Sequence, residues 1–247
     1  MLKVLINGIN GRMGQEVLKS VNNSSDFEIC CGVDTISSDS NFPIYTDTDS
    51  IKGNPDIIID FSIPEATMNI LEYASKNSIP VVVATTGFSE EQLEVIKNYS
   101  KSLPIFRSGN MSYEVNIMAD IVAKLANQLK DSDIEIVETH HRNKIDSPSG
   151  TALILADSIN NTLNNEMNYQ YNRNSVRQKR PEKEIGIHSI RGGTEVGKHT
   201  VLFLGNNESF EITHTVTSRS IFAEGALKAA RFLINQNSGL YNMKDLI

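Results

Sequence analysis

Three glycines at intervals of three, Gly8, Gly11 and Gly14, follow the apolar run Leu2–Asn7 and precede an amphipathic stretch over residues 12–21. A strand that must turn at once into a helix needs backbone freedom at the turn, and glycine supplies it. The same geometry lets a pyrophosphate approach the backbone and rest on the helix N-terminus. Any glycine-rich strand–helix turn would match this spacing, so the turn alone is a weak signal. Asp34 adds to it: the acid ends the next apolar run about 20 residues on, where a ribose-binding carboxylate belongs. A dinucleotide site therefore outweighs a merely structural turn followed by a surface Asp.

The rest of the N-terminal half repeats the strand–helix grammar. Strands are expected over 28–33, 56–61, 80–84 and 104–107, and helices over 64–76 and 89–101. Short β-branched runs alternating with helical patterns mean βαβ units and a parallel sheet. Beyond about residue 110 the pattern changes. A long helix over 112–129 carries an apolar stripe at Ile117, Ile121, Leu125 and Leu129, a strand follows over 134–138, and a helix over 149–163. The polar segment 164–184, with Arg173, Arg177, Lys179, Arg180 and Lys183, reads as a mobile loop whose charges are solvated. Strands over 186–191, 199–204 and 210–216 come next, the last two joined through the hairpin signal Gly205-Asn206-Asn207. A helix over 221–235 is expected to return to the first domain. The fold class is thus an α/β dinucleotide-binding domain, residues 1–111 and 221–247, plus a separate α+β domain, residues 112–220.

Composition narrows the function classes. Lys plus Arg number 23 against 30 for Asp plus Glu, a net charge of −7, and there is no Trp, so nucleic acid is not an expected partner. No stretch approaches the ~20 apolar residues of a membrane span, and the N-terminal run is too short for a signal peptide, so a soluble, cytoplasmic protein is expected. Cys30 and Cys31 are adjacent in an apolar run without a C-x-x-C pair, and read as reduced core cysteines.

Chemistry concentrates in Glu138-Thr139-His140-His141-Arg142-Asn143-Lys144-Ile145-Asp146-Ser147-Pro148-Ser149-Gly150-Thr151. Neighbouring side chains on a strand point to opposite faces, so the two histidines are expected to have different jobs. Ser149-Gly150-Thr151 opens a helix, whose first N–H groups and Thr hydroxyl would receive a carboxylate. Zinc is a poor fit, since the histidines lack the i, i+4 pattern and no cysteine has ligand spacing. The segment Gly192-Gly193-Thr194-Glu195-Val196-Gly197-Lys198-His199 nearly spells a phosphate loop, but it ends in His and leads into a strand rather than a helix. A nucleoside triphosphatase is therefore excluded, while Gly192-Gly193 keeps the composition of an anion-binding nest.

The segment E-x-H-H-x-x-K-x-D-x-P-S-G-T-A over residues 138–152 resembles the signature of bacterial 4-hydroxy-tetrahydrodipicolinate reductases. Gly11-Arg12-Met13-Gly14, Asp60-Phe61-Ser62, Thr85-Thr86-Gly87-Phe88, Ser108–Ser112, Arg191-Gly192-Gly193 with Gly197 and His199, and Gly239–Met243 are similar to that family too. The resemblance implies an NAD(P)H-dependent reductase of lysine and diaminopimelate biosynthesis, with a Rossmann domain and a second domain, residues 112–220, for substrate binding and for oligomerisation to a homotetramer. It also implies roles by motif position. Gly8, Ile9, Asn10, Gly11, Arg12 and Met13 would hold the pyrophosphate and Asp34 the adenine ribose. Ala84, Thr85, Thr86, Ser108, Gly109, Asn110 and Met111 would line the nicotinamide side. His140 would give and take a proton, Lys144 would donate one, and His141, Gly150 and Thr151 would bind the carboxylates of a small dicarboxylate substrate. Ala84, where Gly is common, and Glu114, where Gly is usual after the tyrosine, depart from the family pattern.

The chemistry suits these residues without a metal. A cyclic imine that accepts hydride at carbon needs a proton elsewhere, which Lys144 and His140 can manage near neutral pH. A related dehydrogenase for another small acid, or a dinucleotide-sensing protein without activity, would not need His140 and Lys144 together. The family leaves the cofactor open. Asp34 accepts both ribose hydroxyls but repels a 2′-phosphate, and Thr35-Ile36-Ser37-Ser38 brings no cation, so NADH is expected to be favoured over NADPH.

Overall fold

The computed structural model describes residues 1–175 and 177–247. Along the chain run β1 (Leu2–Asn7), α1 (Arg12–Asn22), β2 (Phe27–Val33), β3 (Ile44–Tyr45), β4 (Ile57–Asp60), α2 (Pro64–Asn77), β5 (Val81–Val83), α3 (Glu90–Tyr99) and β6 (Pro104–Arg107). Then come α4 (Tyr113–Gln128), β7 (Asp133–His140), α5 (Gly150–Thr162), β8 (Asn168–Gln170), β9 (Glu184–Arg191), β10 (Gly197–Leu204), β11 (Ser209–Val216), α6 (Ser220–Leu233) and β12 (Gly239–Tyr241). The chain forms two compact units, residues 1–113 with 219–247, and residues 114–218.

The first unit is a parallel sheet in the order β12-β6-β5-β4-β1-β2-β3, the doubly wound arrangement of a Rossmann-like fold. Helices must cover both faces of such a sheet, which is why its central strands are apolar at nearly every position. Val4, Ile6, Ile57 and Ile59 join one core with α1 and α6, whereas Leu5, Ile58, Val81 and Val83 join a second with α2. Pro64 begins α2, where its missing N–H is harmless. Ser89 and Gln92 close a capping box on α3. Helix α6 packs in this unit, against α1.

The second unit holds a mixed sheet in the order β11-β10-β7-β9-β8. Strand β7 is central, antiparallel to β10 and parallel to β9, and β10 turns into β11 through Gly205. Ile134, Ile136, Val201 and Phe203 point into a core shared with α4 and α5.

Two expectations are corrected here. The face of α4 that packs inward is Val115, Met118, Ala119, Val122 and Ala126, while Ile121 is 41% exposed. A spacing of four drifts around a helix of 3.6 residues per turn, so Ile117, Ile121, Leu125 and Leu129 skirt the core. The polar segment 164–184 is also more than a solvated loop. Residues Asn168–Gln170 pair with β9, and the guanidinium of Arg180 donates to Glu135, Asp133 and the carbonyls of Ile134 and Glu184. Arg173 pairs with Glu184 and Lys183 with Glu166, so acids supplied partly by β7 and β9 answer much of the basic run.

Candidate active site

In the first unit close backbone approach demands glycine at positions 8 and 14, and a Cβ at Gly11 would sit tightly, 3.1 Å from the Gly8 carbonyl oxygen. Gly8 has φ of 78°, and a Cβ there would stand 2.5 Å from the Phe61 carbonyl oxygen. A Cβ at Gly14 would lie 2.1 Å from the Gly8 carbonyl oxygen. Gly11 caps α1 without any side-chain bond, so the N–H groups of the first turn face no capping oxygen from it. Beside this turn lies a cavity of about 580 Å³, lined by Gly8, Asn10, Gly11, Asp34, Asp47 and Ser62 among others. The Asp34 carboxylate accepts the N–H groups of Asn10 (2.8 Å) and Thr35 (2.7 Å), which hold it at the end of β2. An open helix start, a backbone cradle that tolerates no Cβ and an acid at the next strand end fit a dinucleotide. This unit is thus of the kind that binds NAD(P)H.

Not every residue expected on the cofactor side presents its side chain there. Ile9 and Met111 lie in the core, leaving only their backbones to offer. Thr85 is buried and its hydroxyl donates to Asp60 at 2.9 Å. Thr86 and Gly109 are exposed, and Ser108 donates to the Asn110 carbonyl, shaping its own loop. Ala84 is buried behind β5, and Glu114 stands in the first turn of α4, where the helix dipole welcomes a carboxylate.

Asp60 was not among the expected site residues. It is fully buried at the end of β4 and accepts from Asn7 Nδ2, Ser62 Oγ, Thr67 Oγ1 and Thr85 Oγ1 at 2.5–2.9 Å. One carboxylate thereby ties the ends of β1, β4 and β5 together. Burial raises its pKa, against the pull of these four donors. The signal was present in sequence as a charge closing the apolar run Ile57-Ile58-Ile59.

The second unit gathers His140, Arg191 and the start of α5 around another buried carboxylate, Glu138. Positions 138 and 140 share a face of β7 because strand side chains alternate. Glu138 Oε2 lies 2.6 Å from His140 Nδ1, and the two oxygens receive Arg191 as a fork at 2.7 Å each. Its Oε1 also accepts the Ser149 N–H. Burial pushes the Glu138 pKa up, but the hydrogen bonds from Arg191, Ser189 and His140 outweigh it and hold it at about 2. Burial lowers the pKa of His140, with Glu138 opposing, and pushes His199 down to about 4. The His140 and His199 rings meet edge to face, and His199 Nε2 is 2.8 Å from Ser149 Oγ, the oxygen that caps α5 through the Ala152 N–H.

Lys144 follows a turn and donates to Asp146 at 2.8 Å, with about a fifth of its side chain exposed. His141 is half-buried and its N–H is held by the Glu195 carbonyl. Gly150 and Thr151 occupy the first turn of α5. The arrangement places a cation, a neutral imidazole and an anion-favouring helix start on one short segment. Gly192 does not keep a free nest, because its N–H is spent on the His140 carbonyl. Arg191, Ser149 and His199 stand in family-like motifs of the sequence, but only the fold shows that they converge on Glu138 and His140.

The family models for dihydrodipicolinate reductase match this chain over residues 2–111 for the N-terminal part and 114–247 for the C-terminal part. A 4-hydroxy-tetrahydrodipicolinate reductase of Caldanaerobacter subterraneus subsp. tengcongensis is 48% identical over 247 residues, covering 100% of this chain and 98% of that protein. One from Clostridium novyi is 43% identical over 249 residues, with the same coverage of both. The solved structure of a dipicolinate-bound dihydrodipicolinate reductase from Paenisporosarcina sp. TG-14 superposes with a TM-score of 0.80 at 25% identity, covering 100% of both chains. With both halves of one family matched in order and whole-length relatives above 40% identity, the chain belongs to the dihydrodipicolinate reductase family of oxidoreductases.

Proposed function

We propose that this protein reduces 4-hydroxy-tetrahydrodipicolinate to tetrahydrodipicolinate with NAD(P)H, in diaminopimelate and lysine biosynthesis. The observation that carries the reading is the meeting of Lys144, a neutral His140 and the α5 N-terminus on one segment, in a chain whose relatives are named for this reaction. The change from substrate to product is the gain of a hydride and a proton and the loss of the 4-hydroxyl as water. When bound, the dihydronicotinamide supplies the hydride. Gly8–Met13 hold the pyrophosphate at the α1 N-terminus, Asp34 the ribose, and the loops at 84–86 and 108–111 the nicotinamide side.

The solved relative binds dipicolinate, and a small ring dicarboxylate of that class suits His141, Gly150 and Thr151. Those groups orient the ring, which is worth more than the contacts themselves because it removes a search for geometry. Lys144 donates a proton to the atom that becomes basic as hydride arrives, and its charge offsets negative charge developing there. His140 moves protons beside it.

NADH is the favoured cofactor. The residues lining the cavity at the turn include two carboxylates, Asp34 and Asp47, and no cation. The protein works as a homotetramer in the cytoplasm. Its second sheet supports this by setting Val137, Leu202 and Ile190 on or beside the face away from the helices, where they are only partly covered. Oxidation of NADH with freshly generated 4-hydroxy-tetrahydrodipicolinate, set against other imino and keto acids, tests the function. Turnover confined to another acid would overturn it, and light scattering from a monomer at micromolar concentration would remove the tetramer.

A further inference from the structure

We propose that Glu138 is a positioning residue: it fixes the tautomer of His140, so that the neutral ring carries its hydrogen on Nδ1 and works through Nε2. This rests on His140 serving the reduction proposed above. The Glu138 carboxylate is fully buried and both its oxygens receive the Arg191 guanidinium. A carboxylate so paired is ionised and has no hydrogen to give. The contact of 2.6 Å to His140 Nδ1 therefore has the imidazole as donor. A neutral imidazole has one N–H, so Nε2 keeps its lone pair.

The rest of the ring's surroundings agree with that assignment. The Nε2 edge faces Gly197 on β10, where a Cβ would stand 3.0 Å from Nε2 and 3.4 Å from Cδ2. Only a residue without a side chain leaves that edge clear. The ring's flank rests on His199, itself tied to Ser149. Ser149 is also the residue whose N–H reaches Glu138. One carboxylate thus sets both the orientation of the proton-handling ring and the seat of the anion-favouring helix start. A ring flip about Cβ–Cγ would exchange Nδ1 for carbon and take the imidazole donor away from Glu138 Oε2, which burial makes costly.

The test reads the ring directly. Long-range proton–nitrogen correlation spectra of the protein labelled with ¹⁵N-histidine, recorded above the imidazole titration range, report which nitrogen of each ring is protonated; His140→Gln assigns the signal. The expected result is a neutral His140 protonated at Nδ1. In Glu138→Gln an amide replaces the acceptor, Nε2–H gains population, and kcat falls about 10²-fold while KM for NADH stays within about threefold. Glu138→Asp keeps the charge one methylene short of the ring and does not restore kcat, which separates positioning from net charge. Gly197→Ala, which leaves Glu138 and Arg191 untouched, lowers kcat at least about tenfold by displacing the Nε2 edge, and stands if the Glu138 variants do not fold. Protonation of His140 at Nε2 in the wild type overturns the proposal, as does unchanged kcat in Gly197→Ala. An Nδ1–H tautomer in a protein that fails to turn over the substrate instead defeats the proposed reaction and leaves the tautomer assignment standing.

Discussion

Asp60 in the first unit and Glu138 in the second are both fully buried, each toward the C-terminal end of a central strand, but their partners differ in kind. Four neutral donors hold Asp60, one amide and three hydroxyls, and burial raises its pKa. Glu138 faces a guanidinium and an imidazole, and its pKa sits at about 2. Neutral donors can fix loops without placing a strong charge beside a cofactor. A permanent anion can also hold a proton on a chosen ring nitrogen. The first unit accordingly clamps its strand ends with neutral groups, and the second sets coupled charges beside an imidazole.

The contrast breaks most visibly if proton handling is not where the charges are. Lys144→Ala is expected to lower kcat by 10²-fold or more, on the order of what positioned proton donors contribute. His141→Ala should instead raise KM for the dicarboxylate with a smaller change in kcat. Steady-state kinetics on both variants checks the pair. Turnover of Lys144→Ala within a few-fold of wild type would remove the charged segment from the chemistry.

A second measurement concerns stability. Glu138→Gln leaves Arg191 facing an amide N–H and is expected to cost about 3 kcal/mol, the low end for breaking a buried ion pair because Arg191 is partly exposed. Urea unfolding at neutral pH reads the loss. A cost below about 1 kcal/mol would mean that the ion pair does no more than a surface bridge would.

How much of this was legible beforehand differs between the units for a physical reason. The glycine turn is a local backbone demand, and Gly8, Gly11 and Gly14 announce it within seven residues. Asp34 lies one strand further and is equally readable. The Glu138 network is assembled from β7, β9, β10 and α5, with Arg191 53 residues from Glu138 and His199 50 residues from Ser149. Letters at such separations show which groups exist, not which ones meet. Alternation on a strand separated His140 from His141, but that Glu138 shares the face of His140 follows only once β7 runs through both. It said nothing of Gly197, whose missing side chain matters only because β10 lies alongside β7. The stripe on α4 failed for a local reason: a strict spacing of four drifts around a helix of 3.6 residues per turn, and the buried face is Val115, Met118, Ala119, Val122 and Ala126.

Cofactor choice sharpens the comparison from the side of the first unit. If that unit binds without cations, NADH should exceed NADPH in kcat/KM by about tenfold, which is only about 1.4 kcal/mol. Asn10 pins the segment after Asp34 through the Ile36 carbonyl (2.7 Å) and Ser38 (3.0 Å), so Ile36→Arg adds a cation to a fixed loop. It is expected to narrow or invert the ratio. Equal values in the wild type would show that Arg12, exposed in the turn, already meets a 2′-phosphate.

The smallest effect is the most discriminating, because it asks whether the two carboxylates contribute to stability with opposite signs. Burial raises the pKa of Asp60, so its favourable contribution is complete below the unfolded value and is lost as pH rises through the folded one. Glu138 is lowered from 4.5 to about 2, so its contribution is complete above 4.5 and is lost as pH falls toward 2. Asp60→Asn resembles the protonated acid. Its amide can donate to Thr67 Oγ1, whose hydrogen can turn to the Ile63 carbonyl at 3.2 Å. The variant is therefore expected to lie within about 1 kcal/mol of wild type at neutral pH, the net worth of a typical hydrogen bond. Relative to wild type it should lose ground as the solution is acidified. The deficit of Glu138→Gln should shrink over the same change. Urea midpoints for both variants across the acid range give the two slopes. Slopes of the same sign would mean that the hydroxyls around Asp60 stabilise its ionised form as firmly as the guanidinium stabilises Glu138, and the distinction between a neutral clamp and a charged one would fall.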